Sequence, residues 1–208
     1  PEERVSLGAQ CHMQYRQWVP ALPIDYQQLE QGMSFAIAGR HWQVLMARGH
    51  APNQVCLYCA ELDILISGDQ ILAQITSNVS IWPDDLNADP LRLYLESLEG
   101  FKVLPRETLV LPSHGRPFFG LHERLAELAK HHAIRLTQLQ SACCKPRSVA
   151  ELLPVLFERS LDDQQLHFAV GEALAHLNYL CFRGEMVCRT GRDQVWLFST
   201  GIKRVVAD

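Results

Sequence analysis

ILISGDQIL, residues 64–72, is an apolar run that breaks at Gly68 and sets a carboxylate, Asp69, at the start of the following loop. Two other runs end in the same way. RGHAP (48–52) follows WQVLM and carries His50, and LPSHG (111–115) closes TLVL and carries His114. A metal site built on strand ends needs this pattern, with imidazole and carboxylate ligands on loops that a rigid sheet positions. Gly49, Gly68 and Gly115 beside the three side chains suit tight turns and close backbone approach. Neutral imidazole suits zinc or iron, and a carboxylate can bridge two cations through its two oxygens. Two bridged cations bring the pKa of a shared water toward neutrality, giving a hydroxide nucleophile and polarising a carbonyl or phosphoryl oxygen. Three ligands spread in this way do not complete such a two-metal site.

Around these loops the text reads as short strands. FAIA, WQVLM, QVCLYC and ILIS, within residues 35–67, are separated by Gly39–Arg40, the GHAPN loop and an ELD turn at 61–63. Strands of this length with close punctuation imply hairpins and an antiparallel or mixed sheet. Residues 73–87 form a loop long enough to be functional. Asp89 followed by Pro90 starts a helix with Leu91, Tyr94, Leu95 and Leu98 as its apolar stripe and Gly100 as its stop. The strand at 108–111 then delivers His114. Beyond it the pattern turns helical: residues 120–142, a capping box at Ser148–Glu151 opening a helix to about Arg159, and a third helix from Asp162 to Phe182. A strand at EMVCR, a TGRD turn and a strand at QVWLF follow, so helices run into a two-stranded hairpin, the winged-helix pattern.

With these motifs in place, the chain resembles the metallo-β-lactamase-fold hydrolases. GHAPNQVCLY looks like that family's glycine–histidine–x–proline loop, LISGDQIL like its glycine–aspartate strand end, and LVLPSHGRP like its proline–x–histidine–glycine loop. Each motif is weak alone, whereas the three in order are specific. The resemblance implies that His50 binds one metal, Asp69 bridges, and His114 binds the other. Aspartate at position 69, where the lactamases typically place a cysteine, points to the glyoxalase-II-like branch. The family's principal ligand motif, H-x-H-x-D-H, is absent here, since His12 and His41 stand alone.

The expectation is therefore an α+β chain. Residues 1–118 form the second half of a metallo-β-lactamase αββα sandwich, and residues 119–208 form a helical winged-helix domain. The parent protein would be a metal-dependent hydrolase of thioesters, lactones or related activated esters, with Asp69 catalytic as the bridging ligand. Two zinc ions would fill the complete site, with iron or manganese as alternatives, and this chain alone would bind metal weakly and be inactive. RNA or another phosphodiester is the alternative substrate, and a non-catalytic interaction module the alternative class. Asn78, in the loop after Asp69, and Arg116, beside His114, are candidate substrate contacts.

Composition narrows the partners. A formal net charge of −4 argues against a protein that coats nucleic acid. The helix from Asp162 carries Asp162, Asp163 and Glu172 and no lysine or arginine; nearby basic residues are Arg183, Arg189 and Arg192 at the wing. Phosphate contact needs cations, so packing over the active-site mouth or at a homodimer face suits this module better than DNA. No apolar run approaches a membrane span, and no signal peptide is visible. The 7 cysteines read as reduced thiols of a cytoplasmic protein. Cys56 and Cys59 form a C-x-x-C on strand text, where residues three apart face opposite ways, which suits core thiols rather than a zinc knuckle.

Overall fold

The computed structural model describes residues 25–191 and 193–201. Cys11, His12 and Arg192 lie outside the described residues. Five strands form the first sheet in the order β1 (Ser34–Ile37), β2 (Arg40–Ala47), β3 (Gln54–Cys59), β4 (Ile64–Gly68) and β5 (Leu109–Pro112). Tight connections join β1 to β4 as an antiparallel meander, whereas β5 lies parallel to β4. A parallel neighbour needs a long crossover, and this one runs through the loop after Asp69 and helix α1 (Pro90–Gly100). The Asp89 side chain accepts from the Arg92 amide at 3.2 Å, so the expected cap closes the first turn.

Gly100 is the last α-helical residue, as expected, but it makes no left-handed stop. Its φ of −59° is right-handed, and the chain continues through a 3-10 turn, Phe101–Val103, that buries Phe101. The turn stops at Leu104, which is extended because it precedes Pro105.

One face of the sheet presents Ala47, Cys56, Tyr58, Leu65 and Val110. It packs with Leu91, Tyr94 and Leu98 of α1 and with Leu121, Leu125 and Leu128 of α2 (Leu121–Ala142). The opposite face is apolar as well, because Leu57 pairs with Ile66, Ile66 with Leu111 and Ile64 with Leu109. These side chains are half-buried, and Ile66 stays 38% exposed. A sheet with water on one side alternates apolar and polar residues; this one does not.

The C-terminal part is built from α2, β6 (Arg147–Ser148), α3 (Val149–Leu156), α4 (Asp163–Phe182), β7 (Val187–Thr190) and β8 (Trp196–Ser199). Its strands pair antiparallel in the order β6-β8-β7. Leu139, Leu152, Leu177, Leu180, Met186 and Phe198 form its core. Ser148 and Glu151 close the expected reciprocal capping box, and Asp162 caps α4 by accepting from the Gln165 amide. Helix α3 is shorter than its sequence pattern, since Phe157 is already extended at φ −131° and ψ 105°. Helix α2 serves both cores, its first turns in one and Leu139 in the other.

Two histidines lock α2 to α4. His176 Nδ1 donates to the Glu172 carbonyl at 2.8 Å, which leaves its Nε2 to accept from His132 Nδ1 at 3.0 Å. Burial, together with the His176 charge, pushes the His132 pKa down to about 2, and burial pushes His176 to about 4. Both therefore fold neutral, and their contribution is full above the unfolded value near 6.5 and is lost as pH falls toward 4. Buried Glu172, whose pKa is raised by desolvation, acts in the opposite sense at lower pH. Thermal melts should show Tm falling between pH 7 and pH 5, and a His132→Leu/His176→Leu double variant should flatten that slope. An unchanged slope would remove the pair as the acid-sensitive element.

Candidate metal centre

Strand direction brings the three candidate ligands to one edge. Because β4 and β5 run parallel, their C-terminal ends lie side by side, with Gly68 opposite Pro112. Because β3 runs antiparallel to β4, its first residues lie at that same edge, and the β2–β3 connection carrying His50 lies there too. The loops are tied together. The Ser113 amide donates to the Gly68 carbonyl at 3.1 Å, and the Gln70 side-chain amide donates to the Arg48 carbonyl at 3.2 Å.

The turn holding Asp69 is fixed from below. Ser67 Oγ donates to the Ile71 carbonyl at 2.8 Å, and the Gln70 carbonyl accepts from Ser77 Oγ at 3.0 Å and Tyr94 Oη at 3.1 Å. Tyr94 also constrains the His50 loop. A Cβ at Gly49 would sit 2.4 Å from Tyr94 Cβ, and the backbone there has φ +103°, so both space and conformation require glycine.

Asp69 stands between the two histidines. His50 Nε2 lies 3.7 Å from its Oδ2 and His114 Nε2 lies 3.5 Å from its Oδ1. Each carboxylate oxygen thus faces a different imidazole. Oδ1 is buried and has no hydrogen-bond partner. An orphaned carboxylate oxygen is costly, and a cation removes that cost. The separations match two ligands of one tetrahedral zinc, whose donor atoms stand about 3.4 Å apart. The residues present therefore fit divalent metal ions as half of a site. Among the described residues no three donors close around a single point.

His50 is oriented by its other nitrogen. Nδ1 lies 2.8 Å from the Asn78 carbonyl. A carbonyl only accepts, so Nδ1 carries the proton and Nε2 turns a lone pair toward Asp69. Asn78 thus meets His50 through its backbone, while its side-chain Oδ1 accepts from Ser80 Oγ at 2.6 Å. Arg116 is exposed two residues beyond His114, itself 68% exposed. The C-x-x-C thiols are buried on β3; desolvation raises the Cys56 pKa to about 12, keeping it a protonated core thiol.

Sequence patterns missed the Asn78 carbonyl, since a backbone acceptor leaves no mark on residue identity. They also passed over Gly171 in α4, whose carbonyl accepts from the Ile81 amide at 3.0 Å in the same loop. A glycine inside a helix, weaker there by about 1 kcal/mol than alanine, was the available signal.

Comparison with known proteins follows this geometry. Residues 12–114 match the metallo-beta-lactamase superfamily model, and residues 136–201 match the model of the metallo-beta-lactamase-like C-terminal domain. A solved beta-lactamase domain protein from Burkholderia ambifaria is 43% identical, with a TM-score of 0.88 over 90% of this chain and 56% of that one. A solved metallo-beta-lactamase family protein from Thermus thermophilus is 28% identical, with a TM-score of 0.74 over 86% of this chain and 56% of that one. The probable metallo-hydrolase YqjP of Bacillus subtilis is 25% identical over 67% of this chain and 44% of its own length. The lactamase-like protein nscB of Neosartorya fischeri is 29% identical over 59% of this chain and 34% of its own length. The chain spans about a third of that relative and just over half of the two solved ones.

The orphaned Oδ1 sets a test of the donor arrangement. Asp69→Asn should leave the metal-free Tm at or above that of the wild-type chain, because a carboxylate charge whose Oδ1 has no hydrogen-bond partner is removed. The same variant should lose the rise in Tm that zinc gives the wild type. Thermal shift with chelator and with zinc reads both effects; a zinc response retained in the variant would exclude Asp69 as a ligand.

Proposed function

We propose that the chain is a member of the metallo-β-lactamase superfamily and forms the C-terminal part of a metal-dependent hydrolase of the glyoxalase-II-like branch. The observation that carries this reading is the placement of the two Asp69 oxygens, one toward His50 and one toward His114. A carboxylate shared in this way is what a bridging ligand requires, and it distinguishes a pair of ions from a single structural zinc.

Bound divalent ions would supply an activated water and polarise the substrate carbonyl. Zinc, iron and manganese all suit imidazole and carboxylate donors. The residues of this chain have the supporting tasks. His50, through Nε2, and His114 would hold separate ions, Asp69 would supply charge to both, and the Asn78 carbonyl holds the His50 ring with Nδ1 protonated. Thioesters, lactones and related activated esters are the substrate class that such a centre serves, with Arg116 at the rim available to an anionic group.

The order α2, β6, α3, α4 and the β7–β8 hairpin supports a winged-helix module, divided from the sheet near residues 118 and 119. Its acidic α4 start, with Asp162 and Asp163, favours packing over nucleic-acid binding. The apolar second face of the sheet supports a second sheet laid against it, donated by upstream sequence that carries the remaining ligands.

Assay of the extended polypeptide, including the region before Pro1, should show hydrolysis of thioesters and lactones with close to two metal equivalents per chain. Asp69→Ala should lower kcat/KM by at least about 100-fold, and the 208-residue chain alone should show no turnover. Selective cleavage of RNA would move the substrate class to phosphodiesters, and absence of metal after chelator-free purification would exclude the hydrolase.

A further inference from the structure

The metal-facing tautomer of His50 depends on a loop, and that loop is held in place by the C-terminal module. Residues 77–81 run beneath His50. The Asn78 carbonyl meets its Nδ1, and Asn78 Oδ1 accepts from Ser80 Oγ at 2.6 Å. Next along the chain, the Ile81 amide donates to the Gly171 carbonyl of α4 at 3.0 Å. Ser80 Oγ also lies 3.5 Å from the Phe168 carbonyl, one turn earlier on the same helix. Val79 and Ile81 are buried and join the core of the first sheet, so the loop is clamped between that core and α4.

Contact between loop and helix is close enough to forbid a side chain. A Cβ on Gly171 would stand 2.9 Å from the Ile81 carbonyl oxygen, 2.9 Å from Ser80 Cβ and 3.0 Å from Ser80 Oγ. Gly171 is in the middle of a 20-residue helix, where glycine is otherwise a poor choice. Neither the helix's own backbone nor the C-terminal core explains the residue. The approach of the 77–81 loop does.

We propose that Gly171 is a positioning residue for the metal centre: by letting the 77–81 loop seat against α4, it aims the Asn78 carbonyl at His50 Nδ1 and so fixes the ring with Nε2 toward Asp69. The inference rests on the metal-centre reading for its functional meaning, but the ring orientation itself is a property of the metal-free chain. A merely structural glycine would change stability when replaced and leave the His50 tautomer alone. A positioning glycine changes the tautomer.

The 208-residue chain labelled with 15N-histidine reports this directly, by two-dimensional NMR of the imidazole nitrogens at about pH 8, where a neutral ring shows its tautomer. The wild-type chain should show His50 protonated at Nδ1. Gly171→Ala should shift His50 toward the Nε2-protonated form and weaken zinc binding by about tenfold in a chelator-competition titration. Gly100→Ala, at a helical glycine with nothing within 4 Å of the added Cβ, should leave both readings unchanged.

Should Gly171→Ala fail to fold, Ser80→Ala removes the Ser80–Asn78 hydrogen bond without adding bulk and should produce a smaller shift in the same direction. A His50 tautomer unaffected in every folded variant overturns the proposal, even where zinc binds the wild type and the metal reading stands. A tautomer that shifts in a chain that binds no zinc upholds Gly171 as the positioning residue of His50, because the ring orientation is read without metal.

Discussion

The parallel pairing of β4 with β5 is the constraint from which the site follows. Strands that run antiparallel send successive loops to opposite edges, so a pure meander would place the loops after β4 and β5 at opposite ends of the sheet. The crossover through α1 reverses that outcome and sets Gly68 beside Pro112. Once those ends coincide, Asp69 and His114 are neighbours, and the antiparallel β3 brings His50 to the same edge. The crossover also supplies Tyr94, which packs against Gly49 and bonds to the Gln70 carbonyl. One helix thus creates the convergence and then braces two of the three loops.

Electrostatics gives the convergence its meaning. Tyr94, Ser77, Ser67 and Gln70 satisfy much of the backbone around Asp69, yet Oδ1 at the tip of its side chain has no partner. Gln70 Oε1 and His132 Nε2 are likewise buried without partners, so the two flanking imidazoles, rather than the deficit alone, set Asp69 apart. The His132–His176 pair lies away from that edge. Its members donate and accept along one line between α2 and α4, and both are sealed from water. Those histidines join two cores; His50 and His114 remain partly open.

Much of this was legible in the sequence because it is local. QVCLYC matches β3 residue for residue, Asp89–Pro90 caps α1, Ser148 and Glu151 form their box, and the three glycine-flanked loops carry the candidate ligands. What escaped depends on distant partners or on atoms every residue shares. The bond between His132 and His176 spans 44 residues, so no local pattern announces it. The Asn78 side chain drew attention, while its carbonyl is the atom that meets His50. Gly100 closes the α-helix as read, but the 3-10 turn beyond it ends only at Leu104, under the conformational demand of Pro105 further along the chain. The sheet's second apolar face stayed hidden in the strand text, since Leu57, Ile66 and Leu111 only align once the register is known.

The long reach between the 77–88 loop and α4 has a consequence for biosynthesis. Ser80 bonds across 88 residues to Phe168, and Asn178 bonds across 92 and 90 residues to the carbonyls of Leu86 and Ala88. A chain emerging from the ribosome at roughly 5–20 residues per second completes β1–β5 seconds before α4 is available. During that interval the 77–88 loop lacks the Gly171, Phe168 and Asn178 partners that hold it, so its final seat beside His50 is set only after α4 has been made.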